Sequence, residues 1–230
     1  AWIAAHWNLE YATQFGLLLP AQAALDLPVA IGGTSNHFRV EALRAAGGWD
    51  AWNVTEDADL GLRFSRFGQR VMMLNLPTYE DAPARFDIWA GQRSRWIKGF
   101  MQTWIVLMRR PGLLLEELGL RRFLAVQLSL GGAVLAPLFH GPLLLLVLTA
   151  ALSKSFSLGA LGLVLLGTGL MVGLLGDLLA PAPWTGGRFK AVLTRPFYWP
   201  LHSISAARAL YELAVAPHFW AKTPHKPRQK

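Results

Sequence analysis

The spacing of apolar positions divides the chain near residue 111: short periodic pieces come before it and long uninterrupted runs after it. In the first part Leu60, Phe64 and Phe67 recur at helical spacing after Thr55, with Leu62 off that face and Gly68 as a stop, which predicts a helix over 57–67. Residues 84–110 hold a second helical pattern, with Pro83 suited to its first turn and Pro111-Gly112 to its end. Residues 1–19 read as a helix that Pro20 bends or ends, continued over 22–27, and residues 40–46 as a brief helix stopped by Gly47-Gly48. Val29-Ala30-Ile31 and Arg70-Val71-Met72-Met73-Leu74 read as short strands, so residues 1–110 are expected to form an α/β layer.

Beyond Pro111, Phe123 to Leu152 is thirty residues without a charge, more than the roughly 20 that span a bilayer. Pro137 and Pro142 should kink it. Ser155 to Gly176 is a second uncharged run, in which Gly169 and Gly173 allow close helix contact. These predict two transmembrane helices, about 123–152 and 155–176, within 111–195. Residues 196–217 are apolar but hold His202, Arg208 and Glu212, and read as a helix at the cytoplasmic interface or a third membrane helix, ahead of a basic tail to 230. No ion pair is expected within the spans, which argues against a small transporter.

Charge sharpens this division. Residues 1–90 carry six basic and ten acidic side chains, residues 91–230 sixteen and four. The positive residues flank the apolar runs, as at a membrane surface, and no nucleic-acid signature accompanies them. Arg109, Arg110, Arg121 and Arg122 precede the first run and Arg188, Lys190 and Arg195 follow the second, which places both flanks in the cytoplasm. Cysteine is absent, which excludes disulfides and thiolate chemistry, and the six histidines lack ligand spacing. The first residues have no basic n-region or cleavage pattern of a signal peptide; Trp2, Trp7, Tyr11 and Phe15 suit core packing or an interfacial helix.

Two clusters carry the chemistry. Thr55-Glu56-Asp57-Ala58-Asp59 falls where a helix begins, whose free N–H groups and dipole should hold Glu56 and Asp57 ionised. The same residues could serve only as a cap, or Asp57 and Asp59 as a metal-binding pair. Gln92-Arg93-Ser94-Arg95-Trp96-Ile97-Lys98-Gly99 would present Gln92, Arg95 or Trp96, and Gly99 on one helix face. Arg95 offers a planar fork for phosphate, Gln92 a neutral donor and Trp96 a plate on which a sugar can stack. A solvated or membrane-surface face is the plainer alternative.

Thr-Glu-Asp followed by Gln-x-x-Arg-Trp resembles the signature of membrane-embedded family 2 glycosyltransferases, the processive synthases of cellulose, hyaluronan and related β-glycans. Gly32-Gly33-Thr34-Ser35-Asn36 resembles that family's acceptor-side segment, and Phe219-Trp220-Ala221-Lys222-Thr223-Pro224-His225 its C-terminal segment. The resemblance implies the C-terminal part of a GT-A-type catalytic domain over 1–110, followed by membrane helices, at the cytoplasmic face of the inner membrane. It implies inverting transfer from a nucleotide sugar, a UDP-sugar in most such synthases, to a glycan acceptor. Asp57 would be the general base, positioned by Glu56 and Thr55. Gln92, Arg95 and Arg93 would bind the departing diphosphate side and Trp96 the acceptor sugar. Thr34, Ser35 and Asn36 would line the acceptor path, and Lys222 and Thr223 would belong to a closing loop. A divalent cation, Mg or Mn, is implied for the complete enzyme, with ligands upstream of this chain, so the chain alone is expected to bind donor poorly. The rival expectation is a non-catalytic membrane module that scaffolds polysaccharide assembly.

Overall fold

The computed structural model describes residues 1–153 and 159–220. Among the described residues every regular element is helical: α1 (Trp2–Thr13), α2 (Leu19–Ala24), α3 (Val40–Ala45), α4 (Glu56–Arg66), α5 (Phe86–Leu107), α6 (Pro111–Val126), α7 (Gly132–Ser153), α8 (Ala160–Leu179) and α9 (Gly186–Val215). A wider π turn, Gln14–Leu18, joins α1 to α2. It lies where Pro20 has no N–H to return to Gly16, so the chain passes the proline without ending its helical course.

The expected strands are not formed. Val29, Ile31 and Leu19 share a buried cluster against which Val71 and Met73 pack, while Met72 and Leu74 are 83% and 63% exposed. Along 71–74 partly buried and exposed side chains therefore alternate as they would in a strand. A strand also needs a neighbouring row of N–H and C=O groups, and no backbone hydrogen bond joins these two extended segments. The α/β layer gives way, among the described residues, to a mostly helical fold.

Helix boundaries shift for local reasons. Helix α5 begins at Phe86, because Arg85 is extended and its guanidinium returns to Asp87 at 2.8 Å, leaving Pro83 in the preceding loop. Pro111 opens α6 rather than merely closing α5. Leu62, expected off the buried face of α4, is 2% exposed because the end of α5 and α6 cover that side, whereas Phe67 is 53% exposed.

Two helical stretches are long and apolar enough to cross a membrane: Pro111–Ser153 and Ala160–Leu179, with only 6% of the most apolar window of each buried. The first is broken at Gly119, whose φ of 72° and ψ of 161° divide α6. Within α7, Ser203 of α9 enters the backbone ladder: Gly141 N–H donates to Ser203 Oγ at 3.0 Å, and that hydroxyl donates to the Pro137 carbonyl. The two glycines of α8 are used inside the chain, since a Cβ at Gly169 would fall 2.2 Å from the His140 ring and one at Gly173 2.9 Å from the Trp199 ring.

Helix α9 begins ten residues before the expected 196, with Thr185 Oγ1 accepting from the Arg188 N–H at 3.2 Å. It packs along α5, α7 and α1, and several of its polar residues, Arg195, His202 and Glu212 among them, point into neighbouring helices, while Lys190 and Arg208 stay exposed. Arg195 pairs with Asp177, His202 with Glu10 and Glu212 with Lys98. The Asp177–Arg195 pair corrects the expectation of none: Asp177 lies in the last turn of α8, where the chain doubles back and α9 supplies the cation.

Candidate functional site

Helix α4 carries the carboxylates, and its seat is decided at Gly61. A Cβ there would lie 2.3 Å from the Val29 carbonyl oxygen, so only glycine lets α4 rest on the 29–31 backbone. One helical turn earlier on the same face is Asp57, which this contact carries to the Gly32-Gly33 segment: a Cβ at Gly33 would lie 3.1 Å from Asp57 Oδ2. Asp57 Oδ1 accepts from the Ala58 N–H at 2.8 Å. Burial nonetheless raises the Asp57 pKa, with Glu56 adding to the rise while the Ala58 amide and Arg95 oppose it. The helix start therefore does not lower the Asp57 pKa, because desolvation outweighs the amide.

Thr55 does not cap α4 through its side chain. Its N–H and hydroxyl both turn to Asn53 Oδ1, at 2.9 and 3.3 Å, and Asn53 is tied to Thr103 of α5 at 2.8 Å. The Thr55 side chain presses on α5 at Gly99, where a Cβ would lie 2.2 Å from Thr55 Oγ1. This contact brings the two sequence clusters together. Asp59 faces elsewhere: it pairs with Arg63 at 2.7 Å, and Arg63 also donates to the carbonyls of Ala46 and Gly48. Among the described residues no group of three or more acidic or histidine side chains could hold a metal ion. The divalent cation implied by the resemblance finds no fitting ligand set among them.

The α5 cluster splits into two halves. Arg95 faces the carboxylates: burial lowers its pKa while Asp57, Glu56 and Tyr11 pull it back up, and its nearest acceptor, the Val54 carbonyl, is 3.5 Å away. Its buried Nε has no partner. Trp96 leans towards Tyr11 with ring centroids 6.1 Å apart. Gln92 and Arg93 instead turn back to α1, where Gln92 Oε1 accepts from Trp7 Nε1 at 3.0 Å and Arg93 forms an ion pair with Glu10. Arg93 is therefore not free to meet a substrate in this arrangement.

On the Gly33 side, Thr34 Oγ1 donates to Glu80 at 3.2 Å, Ser35 and Thr78 share a hydrogen bond of 3.0 Å, and Asn36 Nδ2 donates to the Gly32 carbonyl. Burial, with the Glu80 carboxylate adding to it, raises the Tyr11 phenol pKa. Lys222 and Thr223 lie outside the described residues. The segment leading to them does reach the site: Lys98 of α5, fully buried, donates to the Ala216 and Phe219 carbonyls, and Trp220 stands 5.8 Å from the Arg95 guanidinium. Sequence reasoning missed Tyr11, Glu80 and Trp220 as neighbours of the site. Trp220 lay within the quoted C-terminal segment, while Glu80 is a single loop carboxylate without a signal of its own. A cavity of about 310 Å³ lies elsewhere, between α1 and the α8–α9 connection at Ala5, Asn8 and Arg188.

Asp57 on a glycine-lined backbone lies in the field of Arg95, and Trp96 is joined to that pair through Tyr11, so a proton acceptor, an anion site and an aromatic plate are available near one another. Residues 1–177 match the family described as glycosyl transferase family group 2. The chain belongs to that family. A probable glucomannan 4-beta-mannosyltransferase of Arabidopsis thaliana is 35% identical over 68 residues, 29% of this chain and 12% of that protein. A probable glycosyltransferase of Sulfolobus acidocaldarius is 32% identical over 82 residues, 36% of this chain and 18% of that protein. In Bacillus subtilis, probable glycosyltransferase YdaM is 31% identical over 70 residues, covering 30% and 17%. The matches span less than a fifth of the length of each of these relatives. No solved structure matches.

Proposed function

We propose that this chain takes part in inverting glycosyl transfer from a nucleotide sugar to a growing β-linked glycan at the cytoplasmic face of the inner membrane. The observation that carries the reading is the convergence of Asp57, the Gly33 backbone and Arg95. Asp57 takes the proton from the acceptor hydroxyl as its oxygen attacks the anomeric carbon. Burial raises the pKa of Asp57, which strengthens it as a base. Arg95, without a short partner, meets the negative charge that grows on the departing diphosphate, and Gln92, whose carbonyl oxygen is taken by Trp7, keeps its N–H₂ as a further donor for that side. Trp96 stacks the terminal acceptor sugar, and Thr34, Ser35 and Asn36 line its path. Glu56 and Thr55 position the base. A nucleotide-sugar donor is in keeping with the family, and a UDP-sugar is the first to test. The divalent cation that accompanies such donors is assigned no ligand in this chain and no step.

The two apolar helices support a multi-pass membrane setting, with the site on the side of the flanking arginines. Asp57→Asn in the complete enzyme is expected to lower polymer synthesis by about 100-fold or more, the scale of a lost general base. Synthesis retained at the unmodified rate in membranes carrying that variant would overturn the reading in favour of a scaffold.

A further inference from the structure

Glu10 takes no part in the chemistry just described, yet it is among the most committed side chains of the molecule. It lies on α1, and three donors from two other helices converge on it. Arg93 of α5 and Tyr198 of α9 share Oε2, the tyrosine at 3.0 Å, while His202 of α9 meets Oε1 at 2.9 Å. The side chain is 17% exposed. A largely buried carboxylate with both oxygens engaged is a rigid anchor, since losing a partner leaves charge uncompensated.

The anchored Arg93 is itself a support. Its guanidinium carbon lies 4.7 Å from the centroid of the Trp96 ring and 5.9 Å from that of Trp89. Trp89 donates to Tyr198 at 2.8 Å, and Tyr198 donates to Glu10, which closes a ring of contacts beneath the indole of Trp96. From the other side Trp7, one turn before Glu10 on α1, stacks on Tyr11 at 3.6 Å, and Tyr11 borders Trp96. The indole that faces the site is thus held by a cation on one side and an aromatic pair on the other. Both supports are set by α1.

We propose that Glu10 is a positioning residue: through Arg93 it sets the angle of the Trp96 plate on which the acceptor sugar stacks. The two carboxylate oxygens divide the work. Oε2 holds the Arg93 support, whereas Oε1 only joins α1 to α9 through His202. The inference rests on the sugar-stacking role given to Trp96 above, but the orientation of that ring is measurable without any substrate.

The test uses the full-length enzyme labelled with 5-fluorotryptophan, the Trp96 resonance being assigned by its loss in Trp96→Phe. Glu10→Gln is expected to shift or broaden that resonance, and so is Arg93→Lys, which keeps the charge but not the planar fork over the ring. His202→Gln, which gives up the Oε1 contact and the ring contacts to Trp89 and Tyr198 but leaves Arg93 on Oε2, is expected to shift it much less. With β-linked gluco- and manno-oligosaccharides as acceptors, Glu10→Gln and Arg93→Lys should raise the acceptor KM about tenfold, the scale of one lost cation–π contact, with donor KM unchanged. A merely structural role would lower kcat through the active fraction and leave acceptor KM alone. An unmoved Trp96 resonance in Arg93→Lys, or an equal shift in His202→Gln, overturns the proposal, and Arg93→Lys keeps the test open where Glu10→Gln fails to fold. Asp57→Asn reports separately on the transferase reading, because its result does not depend on the angle of Trp96.

Discussion

At Gly99 one missing methyl decides how two helices meet. A Cβ there would lie 2.2 Å from Thr55 Oγ1, and 2.8 Å from Thr55 Cβ. Gly99→Ala is expected to lower stability by about 1–3 kcal/mol through overpacking. Thermal unfolding in detergent would measure it. Adding Thr55→Ala should restore only part of the loss, because the Thr55 Cβ still obstructs the new methyl. The same clash moves Asp57 relative to Arg95, so synthesis should fall further than the loss of folded protein explains. At this scale the sequence was legible where a residue type has one plausible use. Asp57 and Arg95 lie in each other's field, and Trp96 borders Tyr11, which shares that field. Arg93 could not be told from Arg95 by type, and only the position of Glu10, eighty-three residues away, shows that it is committed.

Among the elements, α5 and the end of α9 are joined by an unusual tie. Lys98 is fully buried, pairs with Glu212 at 3.1 Å and reaches the Phe219 carbonyl, while Gln102 donates to the Pro217 carbonyl at 2.9 Å. Lys98→Met would leave the buried Glu212 with Arg208 alone, at 2.8 Å, and free the carbonyls that hold segment 216–220. The expected cost is about 3 kcal/mol, the lower end for breaking a buried pair, since one cation remains. Limited proteolysis should then cut near Trp220 sooner than in the unmodified chain, and equal cutting rates would show that the tie does not hold this segment. Helices α4 and α5 and both apolar runs were legible because each has a long periodic or uniform pattern. The strands were not, since alternation reports which side chains are buried and says nothing of whether a backbone partner is present. The start of α9 was missed for another reason: residues 186–195 hold two glycines and three cations among a few apolar positions, and the burial of Ala191 and Arg195 depends on α1 and Asp177.

The whole molecule is keyed by buried polar groups between α1, α8 and α9, and this makes its stability depend on acid. His6 is 1% exposed and meets Thr194 Oγ1 at 3.1 Å; burial, then Arg195, lower its pKa from 6.5 to about 4. Glu10 is held at about 2, against an ordinary 4.5, by Arg93 and His202, which overcome its burial. Both folded values are depressed, so the unfolded chain binds protons first and stability is lost as pH falls. The His6 share is fully present above 6.5 and declines towards 4; the Glu10 share is present above 4.5 and declines towards 2. Melting temperature in detergent should therefore drop in two stages. His6→Gln should flatten the first stage and leave the second, and an unchanged slope between 6.5 and 4 would refute this assignment.

The hydroxyl of Ser203 sits inside the ladder of α7, bridging the Gly141 amide and the Pro137 carbonyl. The bend of that helix is consequently shared property, half of it written sixty-six residues downstream. Grafted into another protein without its companion, α7 would leave an amide and a carbonyl facing hydrocarbon, and would have to straighten or recruit water to hide them. Any transplant of α7 must therefore carry α9 with it.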